Sequence, residues 1–133
     1  MALGLATDRE SAVANEEGYA EALREAAVFR VDVKPERGAV RLCPVGELDM
    51  ATIGLLRGHL EEAMGAGTAH VTLDLRETTF LDSSALHLAV EARDRAARAG
   101  TGFAIIPAPP IVQRAFDVAG LSGQLPFVDV PRA

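Results

Sequence analysis

The chain has 133 residues, 49% of them hydrophobic and 24% charged, with a formal net charge of −6. That length and balance fit one globular domain with a real core and exclude a wholly disordered chain. An acidic chain with only 5% aromatic residues is repelled by phosphate backbones and anionic membranes and lacks base-stacking platforms, so direct nucleic-acid binding is not expected.

A single cysteine, Cys43, excludes an internal disulfide and a cysteine-rich zinc site, and its apolar neighbours predict an inert buried thiol. His59, His70 and His87 each stand alone, without metal-ligand spacing. Neither a metal nor another cofactor is expected. No apolar stretch approaches the roughly 20 residues of a membrane span. Asp8, Arg9 and Glu10 stand where a signal peptide needs an apolar run, so a cytoplasmic protein is expected.

In chain order, residues 1–27 form an N-terminal arm, a short helix or a disordered stretch, with Glu16, Glu17, Glu21 and Glu25 among alanines. The domain proper spans 28–133. Phe29 to Lys34 alternates apolar and polar residues, as a half-buried strand does. Pro35 to Gly38 reads as a turn and Ala39 to Val45 as the returning strand of an antiparallel hairpin, with Pro44 marking a bulge or the strand's exit. From Met50 to about Ala66, Ile53, Leu56, Leu60 and Ala63 or Met64 recur at helical spacing. Gly54 and Gly58 weaken that helix by about 1 kcal/mol each or mark a face of close approach. Val71 to Leu75 is a third strand. A helix from Ser83 to Ala99 follows, capped by Gly100. Phe103 to Ile106 is a fourth strand. Pro107, Pro109 and Pro110 launch a third helix with Ile111, Val112, Ala115, Phe116 and Ala119 inward. Leu125 to Val128 leaves room for a last edge strand. The order β-β-α-β-α-β-α predicts an α/β fold, a mixed four- to five-stranded sheet with an N-terminal hairpin and helices packed against it.

Two segments stand out as sites. In Gly46-Glu47-Leu48-Asp49, Asp49 directly precedes a helix and is expected to cap it, whereas Glu47 has no evident structural task. In Asp82-Ser83-Ser84-Ala85-Leu86, Asp82 or Ser83 caps the next helix and Ser84 lies in its first turn. On a helical wheel Leu86, Val90 and Ala97 form the core side, with Ala89 and Ala96 beside them. Ser84, Leu88, Glu91 and Arg95 then share the exposed side, where Leu88 hints at a partner surface. Arg93 points coreward, so its head is expected to reach back out. A serine hydrolase is not expected: no Gly-x-Ser-x-Gly elbow surrounds Ser83 or Ser84, and His87 is poorly placed as a base. The only lysine, Lys34, lies in the first strand, unlike the late-strand lysine of a phosphorelay receiver.

Val45-Gly46-Glu47-Leu48-Asp49, Leu73-Asp74-Leu75 and Phe80-Leu81-Asp82-Ser83-Ser84-Ala85-Leu86, in this order and separation, resemble the STAS domain of bacterial anti-sigma factor antagonists from about Phe29 to Val128. The resemblance implies a STAS fold and a protein that is not an enzyme. Such a protein binds an anti-sigma factor, often a serine kinase, and so frees a sigma factor. It also implies that the kinase phosphorylates Ser84, that the modified protein lets go, and that a PP2C-type phosphatase resets the switch. Asp49 would belong to the contact surface, and the expected partner surface comprises Glu47, Asp49, Asp82, Ser83, Ser84, Leu88, Glu91 and Arg95. The family usually has glycine after the acceptor serine, where this chain has Ala85. A phosphate there would sit at a helix N-terminus, which tolerates an anion through free N–H groups and the dipole. Other branches of the family include stressosome subunits, which usually carry a large extra domain, and cytoplasmic accessories of membrane transporters, which usually lack paired serines.

Overall fold

The computed structural model describes residues 29–129; the expected N-terminal arm lies outside them. Strand β1 (Phe29–Glu36) and strand β2 (Ala39–Leu48) form an antiparallel hairpin, with Phe29 opposite Gly46 and Glu36 opposite Ala39. The turn is tighter than the Pro35 to Gly38 expectation. Only Arg37 and Gly38 lie outside the pairing, and Gly38 takes a left-handed φ of 64° that a two-residue hairpin turn requires. Pro44 does not end its strand. It is paired with Val31 inside β2, and the irregularity falls two residues later, between Gly46 and Glu47.

That irregularity organises the rest of the sheet. The first half of β2 pairs in parallel with β3 (His70–Asp74), and its last residues pair in parallel with β4 (Thr78–Leu81). Strand β5 (Gly102–Ile106) lies beyond β3, and Phe127 adds a single parallel bridge at Ile105. The sheet is thus five-stranded, β1-β2-β3-β5 with β4 beside the end of β2. The segment expected from Leu125 to Val128 contributes only that bridge. Strand β4 was not expected; four residues are too few to show a period.

Helices α1 (Ile53–Gly65), α2 (Ser83–Ala99) and α3 (Pro110–Val118) pack into one core with Leu42, Leu48, Val71, Leu73, Leu75 and Ile105 of the sheet side. Helix α1 buries Ile53, Leu56, Leu60 and Met64, as its spacing predicts. A Cβ on Gly54 or Gly58 would meet nothing within 4 Å, so these glycines mark no close approach. Helix α3 differs from expectation. Phe116 is its buried anchor, edge-on to Phe127 at 5.1 Å between centroids, while Ile111 and Ala119 are exposed. Over its nine residues α3 has one buried side chain and two half-buried apolar ones, Val112 and Ala115.

Behind the site, Asp74 ends β3 with its carboxylate buried. Its Oδ2 accepts from Arg76 Nη2 at 2.7 Å and Arg41 Nη1 at 3.1 Å, and its Oδ1 accepts from Arg76 Nε at 3.0 Å and Arg76 N at 3.1 Å. Burial alone would raise the Asp74 pKa, but the bonds from Arg76 and Arg41 outweigh it and hold the carboxyl below its ordinary value. The Cys43 thiol lies beside the same carboxylate, Sγ to Oδ2 3.7 Å, and is pushed up by burial and then by the Asp74 charge. Asp74 thereby shapes the turn that delivers β4.

Candidate functional site

The site is the junction of three chain segments at the end of the sheet: the exit of β2, the exit of β4 and the start of α2. Strand β4 aligns Phe80 with Glu47 and Leu81 with Leu48, so the residues that follow, Asp82 and Asp49, leave the sheet side by side. Asp82 N donates to Leu48 O at 3.3 Å, closing the junction.

Asp82 is the N-cap of α2. Its extended backbone lets Oδ1 accept from Ser84 N at 2.9 Å, while Oδ2 accepts from Met50 N at 3.2 Å. One carboxylate therefore ties the first turn of α2 to the loop before α1. Asp49 works within that loop. Its Oδ1 accepts from Ala51 N at 2.9 Å and Thr52 N at 3.2 Å, and its carbonyl accepts from Ile53 N at 2.8 Å. The expected capping chemistry is present, but it closes a turn ahead of the helix, which begins at Ile53 behind Thr52. Thr52 Oγ1 donates to Glu47 O at 2.8 Å and accepts from Asp49 N at 2.9 Å, so the whole 47–52 loop is pinned.

Glu47 and Ser83 are exposed, and Asp49, Asp82 and Ser84 half-buried, at this junction. Three expected residues lie elsewhere. Leu88 is 3% exposed and belongs to the core. The buried face of α2 is Ala85, Leu88, Ala89, Ala92 and Ala96; Ala89 and Ala96 are inside as expected, but the face is centred roughly a third of a turn from the line of Leu86, Val90 and Ala97. Leu86 and Val90 are half-buried flanks and Ala97 is exposed. A stripe of alanines lets the helix lie close to the sheet, so small residues, and not the largest apolar ones, mark the inside. Glu91 and Arg95 are exposed but engaged with α1. Arg57 Nη1 pairs with Glu91 Oε1, and Arg95 Nη1 lies 3.5 Å from Glu61 Oε2. Two to three turns beyond Ser84, roughly 10–16 Å along the axis, they strap two helices together. Arg93 does reach back out, its Nη1 donating to Gln124 O at 3.0 Å.

Sequence reasoning missed Met50, 79% exposed, and Phe80, 49% exposed. Each adjoins one of the capping aspartates or its neighbour, and the signal was there: a large apolar residue directly after Asp49 and another two before Asp82. The Ala85 methyl, where a glycine was expected, is turned into the core and adds nothing to the outer surface. The amides of α2's first turn are less available than expected. Ser84 N is held by the Asp82 carboxylate, and Ala85 N and Leu86 N donate to Asp82 O at 3.0 and 3.4 Å.

No group of three or more His, Cys, Asp or Glu residues able to hold a metal occurs among the described residues. Nor is any described helix long and apolar enough to cross a membrane.

The family model described as "Mlab, STAS domain" matches residues 29–129. The chain is 28% identical over 102 residues to the anti-sigma F factor antagonist of Paenibacillus polymyxa, covering 76% of this chain and 87% of that protein. Its fold is similar to that of an anti-sigma factor antagonist from Mycobacterium paratuberculosis, with a TM-score of 0.68, 22% identity, and 74% and 84% of the two chains covered. It is similar also to the anti-sigma factor antagonist SpoIIAA from Bacillus. The unphosphorylated form aligns with a TM-score of 0.64 at 20% identity over 78% and 89% of the chains. The phosphorylated form aligns with a TM-score of 0.60 at 19% identity over 78% and 92%.

Proposed function

The chain belongs to the STAS domain family, and from that premise we propose that it is an anti-sigma factor antagonist whose affinity for its partner is set by phosphorylation of Ser84. It acts by binding, in the cytoplasm, and performs no chemistry itself. The partner is an anti-sigma factor that is also the serine kinase, and a PP2C-type phosphatase restores the unmodified form. The relatives named as anti-sigma factor antagonists support this reading.

The observation that carries it is the bond from Ser84 N to the Asp82 carboxylate, which also holds Met50 N. Ser84 thus stands on a platform held by Asp82, at the junction that also carries Glu47, Asp49 and two exposed apolar side chains, Met50 and Phe80. A neutral hydroxyl there is compatible with a close apolar contact. Phosphorylation adds about −1.5 to −2 charges. Since Asp82 already occupies the nearest amide, the phosphate gains the helix dipole but few free donors, and the Asp82 carboxylate that holds this amide is of like sign. Its charge is directed outward into the contact, where an unpaired buried charge is costly. The fold stays the same; the surface changes.

Binding of the cognate anti-sigma kinase, measured by calorimetry on wild type, Ser84→Ala and Ser84→Asp, tests the switch. Ser84→Ala is expected to bind as wild type does, and Ser84→Asp to lose about 2–5 kcal/mol, at the lower end because aspartate carries less charge than phosphoserine. Phosphopeptide mapping is expected to place a single phosphate on Ser84. Equal affinity of folded wild type and Ser84→Asp, or label that persists on Ser83 in Ser84→Ala, would overturn the assignment.

A further inference from the structure

Single exposed apolar side chains are ordinary on a protein surface; several large ones gathered in one place are not. Seven large hydrophobic residues are exposed among the described residues, and four of them, Met50, Leu55, Phe80 and Ile111, gather at one end of the sheet. Strands β2, β3, β4 and β5 run parallel, so their C-terminal ends point the same way, and every helix starts from that end: α1 after β2, α2 after β4 and α3 after β5. Met50 stands in the connection to α1 and Leu55 in the first turn of that helix. Phe80 lies one residue before the end of β4, and Ile111 is the second residue of α3. Open α/β sheets bind their ligands outside the carboxyl ends of their strands. Ile111 is the most exposed of the seven, at 83%. It stands about 140° around α3 from the buried Phe116, so the core has no use for it. Since α3 packs against β4, Ile111 continues the junction of Asp82 and Ser84 past that strand.

We infer that the contact surface for the protein partner runs from the Asp82–Ser84 junction across β4 to the first turn of α3, with Ile111 as an apolar anchor that phosphorylation leaves in place. The inference rests on the reading of the protein as an anti-sigma factor antagonist and adds a second, separable part to its surface. Met50 is tied to Ser84 through the Asp82 carboxylate, so its contact changes with the phosphate. Ile111 hangs from another helix, whose first turn is pinned by bonds of its own. Ala108 N donates to Gln113 Oε1 at 2.9 Å, and Gln113 N donates to Pro109 O at 2.8 Å. The occupant is a protein face that is apolar at its centre and basic at its edge. The apolar centre answers Met50, Phe80 and Ile111. The basic edge follows from charge, because Glu47, Asp49 and Asp82 belong to no ion pair among the described residues.

Calorimetry with the purified cognate anti-sigma kinase and the full-length protein reads the two parts separately. Ile111→Ala is expected to weaken binding about tenfold, as loss of a large apolar side chain from a buried contact does. The same factor is expected in the Ser84→Asp background, because sites without shared partners add. Val118→Ala is the control. Val118 is 80% exposed on the same helix, about 10 Å further along its axis, and its variant is expected to bind as wild type does. Both substitutions put a better helix former at an exposed position, so the fold is retained. Wild-type affinity of Ile111→Ala, with Ser84→Asp weakened, would overturn this inference and leave the switch at Ser84 standing. So would an equal loss from Val118→Ala, or a loss from Ile111→Ala that vanishes in the Ser84→Asp background. A wild-type dimer in sedimentation that Ile111→Ala dissolves would assign the patch to a second copy of the chain and overturn it likewise. Unchanged affinity of Ser84→Asp overturns the underlying reading instead, whatever Ile111→Ala does.

Discussion

Asp74 ends β3 and Asp82 directly follows β4, yet they use a carboxylate in opposite ways. Asp74 is buried and accepts from two guanidinium groups, so its charge is cancelled inside the fold. Asp82 is half-buried and accepts from two backbone amides, Ser84 N and Met50 N, with no cation paired to it among the described residues. One charge is neutralised to make a rigid turn. The other is left on the surface, next to the residue where a second negative charge would arrive. The difference teaches where this domain can bear a change of charge: at the junction of Asp82 and Ser84, and not at the turn of Asp74.

Substitutions can break that contrast, and Leu88 sets the upper mark. As a core residue of the helix that Asp82 caps, Leu88→Ala is expected to lower stability by about 2–5 kcal/mol, read from a denaturant midpoint. A loss below about 1 kcal/mol would return Leu88 to the surface. Next, Asp74→Ala leaves Arg41 and Arg76 without their acceptor. Both are partly solvated, so a loss of about 2–3 kcal/mol is expected, a fall in melting temperature of about 10 °C for a domain of this size. Partner affinity of the folded variant is expected to stay near wild type. Asp82→Ala should reverse the pattern. Stability is expected to fall by only about 1 kcal/mol, as for other N-cap removals, while partner affinity falls further, because Met50 and the first turn of α2 lose their common tie.

Acid sharpens the contrast most finely. The Asp74 pKa is held below its unfolded value, so its contribution is full above the ordinary carboxylate range and is lost as pH falls through the lowered value. Wild type is expected to lose more stability than Asp74→Asn between about pH 5 and pH 2, measured by melts across that range. Parallel curves for the two proteins would show that Asp74 carries no such linkage.

Much of this was legible in the sequence, for physical reasons that differ by element. The hairpin, α1 and the extent of α2 follow from strong alternation, helical spacing and the Gly100 cap, whose φ is 72°. The cap of α2 follows from residue type and position, Asp82 being one of the two residues expected there, whereas Asp49, expected to cap α1, closes the turn before it and leaves Thr52 at the N-cap position. The rotation of α2 was not legible, because Leu86 and Val90 outweigh in size the alanines that face the sheet. Nor was the inside of α3, where Ile111 looks as apolar as Phe116 and only packing against Phe127 decides between them. Strand β4 was hidden by its length, and with it the alignment of Glu47 with Phe80 that builds the junction.

That short strand has a kinetic consequence. Strand β3 is hydrogen-bonded on both sides, to β2 and β5, whereas among the described residues β4 pairs only with β2, through three aligned residues. The pairing of β4 can therefore part at a lower free energy than the centre of the sheet. In amide exchange, Phe80 and Leu81 are expected to exchange well before Val71 and Leu73. Each such opening frees the first turn of α2 and turns the half-buried Ser84 hydroxyl to solvent while the rest of the domain stays folded. The frequency of that opening then sets a ceiling on how fast an enzyme can reach Ser84.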